Sequence, residues 1–301
     1  MNTSKKNILL LGYGEMGHTM EYLFSSQHNV AIWDPYFQGK LDQINLDATA
    51  ETADFVIFCT PTVAIFELAQ LIAPHLKPGC ICLSMAKSLD DAGRTAPEAL
   101  QQGLNESERF GLLYGPMIAE EIMAGKPGFA MLATIFPDVA TAALSLFEDS
   151  ILKLKPSDDV AGSAWCVILK NVYALLFGMS DGLGLGDNMR GFLAVQTLAE
   201  LAEIMTLKQG RVETAYGLAG LGDLITTGTS QYSHNHALGM QLARNKRDNI
   251  GGEGVNTLNT ILKLGLLNTD NYPLFKLVAQ VVLDNAYPKV LLGQYIREFK
   301  R

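Results

Sequence analysis

The chain has 301 residues, 48% hydrophobic and 18% charged, which is typical of a globular protein with a large core and excludes disorder, collagen and a coiled coil. The formal net charge of −8 argues against a nucleic-acid-binding protein, which usually has a basic face. The acidic excess lies entirely in residues 1–155, which hold 10 Lys and Arg against 18 Asp and Glu.

The sequence predicts neither a secretory signal nor a membrane-spanning segment. The basic segment Met1–Lys6 is followed by the apolar run Ile8–Leu11, which is too short for a secretory signal. The longest apolar stretch, Cys166–Met179, is interrupted by Lys170 and Asn171 and is too short to span a bilayer. The four cysteines fit no disulfide or zinc spacing: Cys59, Cys80, Cys82 and Cys166. Cys80 and Cys82 lie in one apolar run, where we expect buried free thiols. We therefore expect a soluble cytoplasmic protein.

Short apolar runs alternate with amphipathic stretches from residue 7 to about residue 155. We predict seven strands: Asn7–Leu11, Val30–Trp33, Phe55–Cys59, Cys80–Leu83, Phe110–Tyr114, Phe129–Ala133 and Leu152–Leu154. Several runs are apolar on both faces, which indicates strands covered on both sides. Helices are predicted between them, at Glu15–Ser26, Val63–Ala73 and Val139–Asp149. This alternation predicts an α/β fold with a parallel, doubly wound sheet.

A glycine-rich motif, Gly12-Tyr13-Gly14-Glu15-Met16-Gly17, follows the first strand and opens the first helix. In this context we expect Gly12 to form a tight turn, Gly14 to admit a pyrophosphate and Gly17 to let the helix pack on the strand. The helix N-terminus offers N–H groups, so an acidic domain can still bind an anion. Asp34 lies at the end of the second strand. There it is placed to bind the ribose 2′-hydroxyl and to repel a 2′-phosphate, which predicts NAD in preference to NADP.

The strand pattern ends near Pro156, and Ser157-Asp158-Asp159 predicts a helix start. Long helical segments follow: Val160–Met179, Arg190–Leu207, His236–Lys246, Val255–Leu264 and a tail from Pro273. We therefore predict two domains, a dinucleotide-binding domain at residues 1–156 and an all-helical substrate and catalytic domain at residues 157–301.

Lys170 lies in a predicted helix that is apolar nearly all round. A buried ammonium needs a partner, and burial lowers the pKa of a lysine, which suits it to acid–base chemistry. On periodicity alone, a lysine that reaches the surface from a helix edge is the more frequent case. Asp223, which follows the glycine-rich segment Gly217–Gly222, is either the counter-ion of Lys170 or a helix N-cap.

Three further segments are candidates for ligand contacts. Ser233-His234-Asn235-His236 precedes a helix, where it predicts either a capped anion site or a structural cap with two solvated histidines. No third ligand lies near these histidines, so we predict no metal. Lys87 and Gly115-Pro116-Met117 each follow a strand at the edge where ligands bind, or they are an ordinary loop lysine and an ordinary turn.

The stretches Leu169–Ala174, Ser180–Arg190 and Gly217–Leu224 occur in an order that is very specific. With the weaker blocks Cys59–Thr62, Ala86–Ser88 and Gly252–Gly254, they make the chain similar to the NAD(P)-dependent glycerol-3-phosphate dehydrogenases over nearly its whole length. The resemblance implies a Rossmann domain, a helical substrate domain, a homodimer, and reduction of dihydroxyacetone phosphate to sn-glycerol 3-phosphate.

The resemblance also implies roles for individual residues. Lys170 is the acid/base that protonates the ketone oxygen as hydride reaches the carbon, and Asp223 supports it. The implied substrate-binding residues are Lys87, Gly115, Met117, Ser233, His234 and Asn235. The implied cofactor-binding residues are Gly12, Gly14, Glu15, Met16, Gly17, Asp34, Pro61, Lys87, Ala119, His234, Gly252 and Glu253. NAD is the preferred cofactor, NADP the alternative, and no metal is needed.

Three positions depart from the family pattern. His234 stands where the family usually has arginine, Met117 where it has a small polar residue, and Gly251-Gly252 where it has Val-Ala. A histidine cannot grip phosphate as arginine does, so phosphate binding is weaker and pH-dependent or the substrate is another small hydroxylated compound. A nicotinamide-binding sensor without turnover is a second alternative, against which Lys170 and Asp223 argue. The dense motifs argue against a purely structural module.

Overall fold

The computed structural model describes residues 5–39, 41, 44–105 and 109–299, so Met1–Ser4 of the basic N-terminal segment lie outside the described residues. The chain divides into two compact units, unit 1 at Met1–Val160 and unit 2 at Ala161–Arg301. The assignment of dinucleotide binding to residues 1–156 and of substrate binding and catalysis to residues 157–301 stays a prediction.

Unit 1 alternates strands and helices as the apolar pattern predicts. Its elements are β1 Asn7–Leu11, α1 Glu15–Phe24, β2 Asn29–Trp33, α2 Leu46–Ala50, β3 Phe55–Phe58, α3 Thr62–Ile72, β4 Ile81–Ser84, α4 Ala96–Gly103, β5 Arg109–Tyr114, α5 Ala119–Met123, β6 Gly128–Ala133, α6 Pro137–Leu146 and β7 Leu152–Ser157. All seven predicted strands are present, and most of their ends shift by no more than one residue. The predicted α/β class is confirmed.

The seven strands form one sheet in the order β2-β1-β3-β4-β5-β6-β7. The strand order changes direction between β1 and β3, because β2 lies on one side of β1 and β3 on the other. The loops that follow β1 and β3 are therefore neighbours at the edge where doubly wound sheets bind ligands. The prediction that every strand is parallel is wrong at one interface, because β6 runs antiparallel to β5. The connecting helix α5 has five residues and is about 8 Å long, too short to carry the chain back along the sheet for a parallel crossover.

Pro156 lies inside β7 rather than before a helix. It is in register with Leu132 of β6, and β7 is the last strand of the sheet. An edge strand tolerates proline because its outer N–H groups need no partner strand. Ser157 is the last residue of β7, and the helix begins at Val160, the first residue of the predicted segment Val160–Met179.

The inner strands of the sheet, such as β1, β3 and β4, are buried on both faces. Ile8 and Leu10 pack in one cluster with Phe24 and Phe147, whose rings meet edge to face at 4.9 Å. Leu9, on the opposite face of β1, is also fully buried. Burial of alternate residues on both faces is the arrangement that the apolar runs predict.

Unit 2 is all-helical within the part of the chain that the structure describes. Its helices are α7 Val160–Gly182, α8 Gly186–Leu207, α9 Val212–Ala215, α10 Asp223–Thr229, α11 His234–Ala243, α12 Glu253–Lys263, α13 Pro273–Leu283 and α14 Pro288–Glu298. A π-helical turn, Leu218–Gly222, separates α9 from α10.

Helix α7 is the central helix of unit 2. It is long and apolar enough to cross a membrane by length and composition, but 89% of its most apolar window is buried inside the protein. Helix α11 crosses it with almost no space between the backbones. A Cβ added to Gly178 would lie 2.0 Å from the His236 carbonyl oxygen, and one added to Gly239 would lie 2.1 Å from that of Leu175. This contact fixes α11 directly against α7.

Candidate functional site

The glycine turn of unit 1 has the predicted geometry. Gly12 has φ +94°, and its N–H donates to the Trp33 carbonyl at 2.9 Å. A Cβ on Gly17 would lie 2.4 Å from the Gly12 carbonyl oxygen, so α1 packs directly on the turn. Gly14 is the N-cap of α1 and has no atom within 4 Å of the position that a Cβ would take. The turn is therefore rigid at Gly12 and Gly17 and open at Gly14.

The open side of this turn fits a dinucleotide. The first N–H groups of α1 have no side-chain cap, and the buried Thr60 hydroxyl, beside Gly12, has no hydrogen-bond partner. Helix N-termini with free N–H groups bind phosphate groups. Glu15 is the first residue of α1, Met16 packs against the core, and Pro61 is the N-cap of α3. Their contacts with a cofactor stay predictions.

Asp34 also has a structural role, which was not predicted from the sequence. Its carboxylate accepts hydrogen bonds from the backbone N–H groups of Tyr13 and Tyr36, both at 2.8 Å, and so ties the end of β2 to the glycine turn. The Tyr13 ring stacks on His18 at 3.8 Å. Burial, and then the hydrogen bond and negative charge of Glu21, raise the pKa of Tyr13 to about 12. The ribose contact of Asp34 stays a prediction.

Lys87 and Gly115 meet at the ends of β4 and β5. The Lys87 ammonium donates to the Gly115 carbonyl oxygen at 3.1 Å, so Lys87 is more than a solvated loop lysine. Met117 is 6% exposed and packs in the hydrophobic core of unit 1. Core packing thus gives a reason for a large apolar side chain at this position that involves no substrate. Ala119 is the buried first residue of α5. Ligand contacts of all four residues stay predictions.

Lys170 is buried in unit 2, so the alternative that it reaches the surface is wrong. Its ammonium donates to the Thr227 hydroxyl at 2.6 Å and to the Asp223 carboxylate at 3.3 Å. The side chains of Lys170 and Asp223 are only 6% and 3% exposed. Asp223 is the first residue of α10 and Gly222 is the N-cap, so the N-cap interpretation of Asp223 is wrong. Thr227, four residues after Asp223 on the same helical face, was not predicted.

The π-helical turn sets the direction of Asp223. The Gly222 N–H donates to the Gly217 carbonyl at 3.1 Å, five residues back instead of four. A Cβ on Gly220 would lie 2.1 Å from the Ala215 carbonyl oxygen, so this wide turn has no room for a side chain there. Single π-helical turns are frequent at functional sites.

A chain of amide hydrogen bonds starts beside Lys170. The Asn171 amide donates to Glu253 and accepts from the Asn235 amide, each at 3.1 Å. Asn235 in turn accepts from the Gly254 N–H at 3.1 Å. Gly252 is the N-cap of α12, directly before Glu253. The structure thus joins two predicted ligand-binding residues, Asn235 and Glu253, through Asn171, which the sequence analysis did not single out.

The first turn of α11 is capped as predicted, but its two histidines differ. Ser233 is the N-cap and accepts from the His236 N–H at 3.2 Å. His234 is exposed, whereas His236 is buried and its Nε2 lies 2.8 Å from the Asp181 carboxylate. The expectation of two solvated histidines is wrong for His236. Among the described residues, no group of three or more His, Cys, Asp or Glu is placed to hold a metal.

Comparisons with known proteins identify the family. A model described as NAD-dependent glycerol-3-phosphate dehydrogenase N-terminus matches residues 40–139, and the corresponding C-terminus model matches residues 159–293. The NAD(P)+ glycerol-3-phosphate dehydrogenase of Moorella thermoacetica is 32% identical, over 79% of this chain and 73% of that protein. The protein of the same name from Gloeobacter violaceus is 33% identical, over 79% and 77%.

A solved structure agrees with the fold. Glycerol-3-phosphate dehydrogenase from Coxiella burnetii superposes with a TM-score of 0.84 at 23% identity, over 97% of this chain and 99% of that one. At this identity the likeness shows the fold, and the family models carry the assignment. Together the two models match more than half of the chain, so the protein belongs to the NAD-dependent glycerol-3-phosphate dehydrogenase family.

Proposed function

We propose that the protein catalyses the reversible, NAD(P)H-dependent reduction of dihydroxyacetone phosphate to sn-glycerol 3-phosphate. The observation that carries this proposal is the buried contact of the Lys170 ammonium with Asp223 and Thr227, in a chain of this family. A lysine in the interior needs such partners to stay charged, and here they are present. A sensor without turnover has no need of this arrangement.

Lys170 moves the proton. NAD(P)H, when bound, supplies the hydride for the ketone carbon. Negative charge then develops on the ketone oxygen, and the Lys170 ammonium stabilises that oxygen and gives it a proton. The Asp223 carboxylate favours the charged form of Lys170, and the Thr227 hydroxyl accepts a hydrogen bond that fixes the direction of the ammonium. In the oxidation of the alcohol, neutral Lys170 accepts the proton.

The first turn of α11 binds the substrate phosphate. Ser233, His234 and Asn235 lie at a helix N-terminus, where N–H groups and the helix dipole favour an anion. His234 takes the place of the usual arginine and cannot bind phosphate through two parallel N–H groups as a guanidinium does, so we expect weaker phosphate binding than an arginine would give. The Ser233 cap at this helix N-terminus supports phosphate recognition with fewer permanent charges than a site that contains arginine.

The glycine turn of unit 1 binds the nucleotide, with NAD preferred because a carboxylate at Asp34 repels a 2′-phosphate. We propose the cytoplasm as the location, supported by four cysteines that are not joined in disulfides. We also propose, from the family resemblance, that the chain forms a homodimer. Light scattering coupled to size exclusion measures the mass in solution and tests the dimer.

The experiment that tests the function is NADH oxidation with dihydroxyacetone phosphate, repeated with NADPH and with unphosphorylated dihydroxyacetone. We expect turnover with dihydroxyacetone phosphate, a higher kcat/KM with NADH than with NADPH, and a much lower kcat/KM with dihydroxyacetone. Equal rates on the two ketones contradict phosphate binding. No oxidation of either cofactor contradicts the proposed reaction.

A further inference from the structure

Asp181, near the C-terminal end of α7, joins three helices of unit 2. Its Oδ2 lies 2.8 Å from Nε2 of His236 on α11, and its Oδ1 accepts from Nε of Arg190 on α8 at 2.7 Å. The side chains of Asp181 and His236 are each 11% exposed. A carboxylate with this little access to water, bonded on both sides, restrains the groups that it holds.

His236 is restrained at its backbone as well as at its ring. Its N–H donates to the Ser233 hydroxyl, which closes the cap of α11. Its carbonyl oxygen lies where a side chain on Gly178 would be, so α7 supports it from below. The ring contact with Asp181 adds a further restraint on this turn, beside the hydrogen bonds of Asn235 with Asn171 and Gly254. The turn contains Ser233, His234 and Asn235.

We propose that Asp181 is a positioning residue for substrate binding: through His236 it holds the first turn of α11 in the geometry that takes the phosphate group. This rests on the proposed function, in which that turn binds the substrate phosphate. We assign Asp181 no part in the proton transfer, since its oxygens contact His236 and Arg190, while the Lys170 ammonium contacts Asp223 and Thr227 of α10.

The sign of the effect separates positioning from plain electrostatics. Asp181→Asn removes a negative charge close to a site for an anion, so Coulomb's law alone predicts tighter phosphate binding and a lower KM. Loss of positioning predicts the opposite, because the turn then samples orientations that do not bind phosphate. A purely structural role lowers Tm and leaves KM unchanged below the melting range.

The experiment measures kcat and the KM of each substrate for wild type, Asp181→Asn, His236→Leu and His236→Gln. We expect Asp181→Asn and His236→Leu to raise the KM for dihydroxyacetone phosphate about tenfold, the scale of one lost charge-assisted hydrogen bond. We expect kcat to stay within about twofold and the KM for NADH to stay unchanged, since the contacts of Lys170 are kept. His236→Gln keeps an N–H that reaches Asp181, so we expect it to restore most of the affinity.

Asp187→Asn is the matched control. Asp187 also pairs with Arg190, and its substitution removes the same charge, but its side chain is 89% exposed. We expect its KM values to equal those of wild type. An unchanged or lower KM in Asp181→Asn overturns the proposal, and so does an equal rise in Asp187→Asn.

Failure of this proposal can be told from failure of the proposed function. Wild-type turnover of dihydroxyacetone phosphate with an unchanged KM in Asp181→Asn overturns only the positioning role. Absence of wild-type turnover overturns the function, and calorimetric titration with inorganic phosphate then tests positioning alone. Weaker phosphate binding by Asp181→Asn than by Asp187→Asn supports the role, and equal binding overturns it.

Discussion

The glycine turn of unit 1 (Gly12–Gly17) and the buried cluster of unit 2 (Lys170, Asp223 and Thr227) are built for ligands in opposite ways. The turn uses backbone geometry: a positive φ at Gly12, a close contact at Gly17 and open space at Gly14. The cluster uses buried side chains, with Lys170 held by Asp223 and Thr227. A backbone site depends on the absence of side chains, whereas a side-chain site depends on partners that stay charged away from water.

This difference sets which substitutions each unit tolerates. Adding one methyl group at Gly12 or Gly17 disturbs the path of the chain, but the turn has few charges to lose. In unit 2, removing one partner leaves another polar group buried without compensation, which is costly. Stability and chemistry therefore respond to different kinds of change in the two units.

The largest expected effect is on Lys170. Lys170→Ala should lower kcat at least about a hundredfold, because general acid–base groups contribute two to four orders of magnitude. NADH binding, followed by fluorescence titration, should be kept because the glycine turn is untouched. Lys263→Ala, at an exposed lysine of α12, is the control and should keep full activity. Unchanged turnover in folded Lys170→Ala removes the assignment.

Glu200 of α8 tests how far unit 2 depends on buried ionisable groups. Burial raises the pKa of its carboxyl to about 7, against hydrogen bonds from the Leu274 N–H, the Tyr173 hydroxyl and the Phe275 N–H. The folded chain thus keeps the proton to higher pH than the unfolded chain, whose value is near 4.5. The stabilising contribution is complete below about pH 4.5 and lost as pH rises through about 7.

We expect the free energy of unfolding to fall by roughly 2 to 4 kcal/mol over this range, at 1.36 kcal/mol per pKa unit. Urea unfolding at several pH values measures it. Glu200→Gln should lose this part of the pH dependence, and Glu213→Gln, at an exposed carboxylate of α9, should keep it. Identical profiles for wild type and Glu200→Gln contradict the prediction.

Two glycine substitutions separate shape from binding in unit 1. Gly17→Ala forces a Cβ to within 2.4 Å of the Gly12 carbonyl oxygen, and we expect unfolding free energy to drop by about 1–3 kcal/mol. Gly14→Ala meets no protein atom within 4 Å, so stability should be kept while NADH binding weakens. Urea unfolding and fluorescence titration measure the two effects. Equal NADH affinity in Gly14→Ala and wild type contradicts a pyrophosphate at this turn.

The smallest effect is expected at Asp34. Asp34→Asn keeps one of the two oxygens that accept from the Tyr13 and Tyr36 N–H groups, and it removes the charge that repels a 2′-phosphate. We expect the ratio of kcat/KM for NADPH to that for NADH to rise about tenfold, or 1.4 kcal/mol. Asp91→Asn, an exposed carboxylate elsewhere in unit 1, is the charge-matched control. A ratio that rises equally in both variants contradicts the role of Asp34.

Local patterns predicted most of the fold and the backbone part of the site. Apolar runs gave the seven strands, and the glycine spacing located the turn, because both depend on residues close together in the chain. The antiparallel β6 was missed because strand direction depends on the length of α5 rather than on the apolar run itself. The last strand is predicted to end at Leu154 but runs through Pro156 to Ser157, because a strand at the edge of the sheet tolerates proline.

The side-chain networks could not be predicted in the same way. Thr227 is 57 residues from Lys170, and His236 is 55 residues from Asp181, so no local pattern links either pair. Periodicity even favoured a surface position for Lys170, since it counts the apolar neighbours of one helix and not the partners on another. The family resemblance correctly marked the segment, but only the fold shows what holds the lysine.

Because of the π-helical turn Leu218–Gly222, the number of residues in this segment fixes the direction in which Asp223 and Thr227 point. Each residue of a helix turns the chain by about 100° about its axis, so deleting one residue here would swing Asp223 and Thr227 away from Lys170 together. Lys170, Asp223 and Thr227 would all be present in such a variant, and yet Lys170 would lack the two partners that hold its ammonium. In a relative, a one-residue gap at this place therefore marks lost chemistry as clearly as a substituted lysine does.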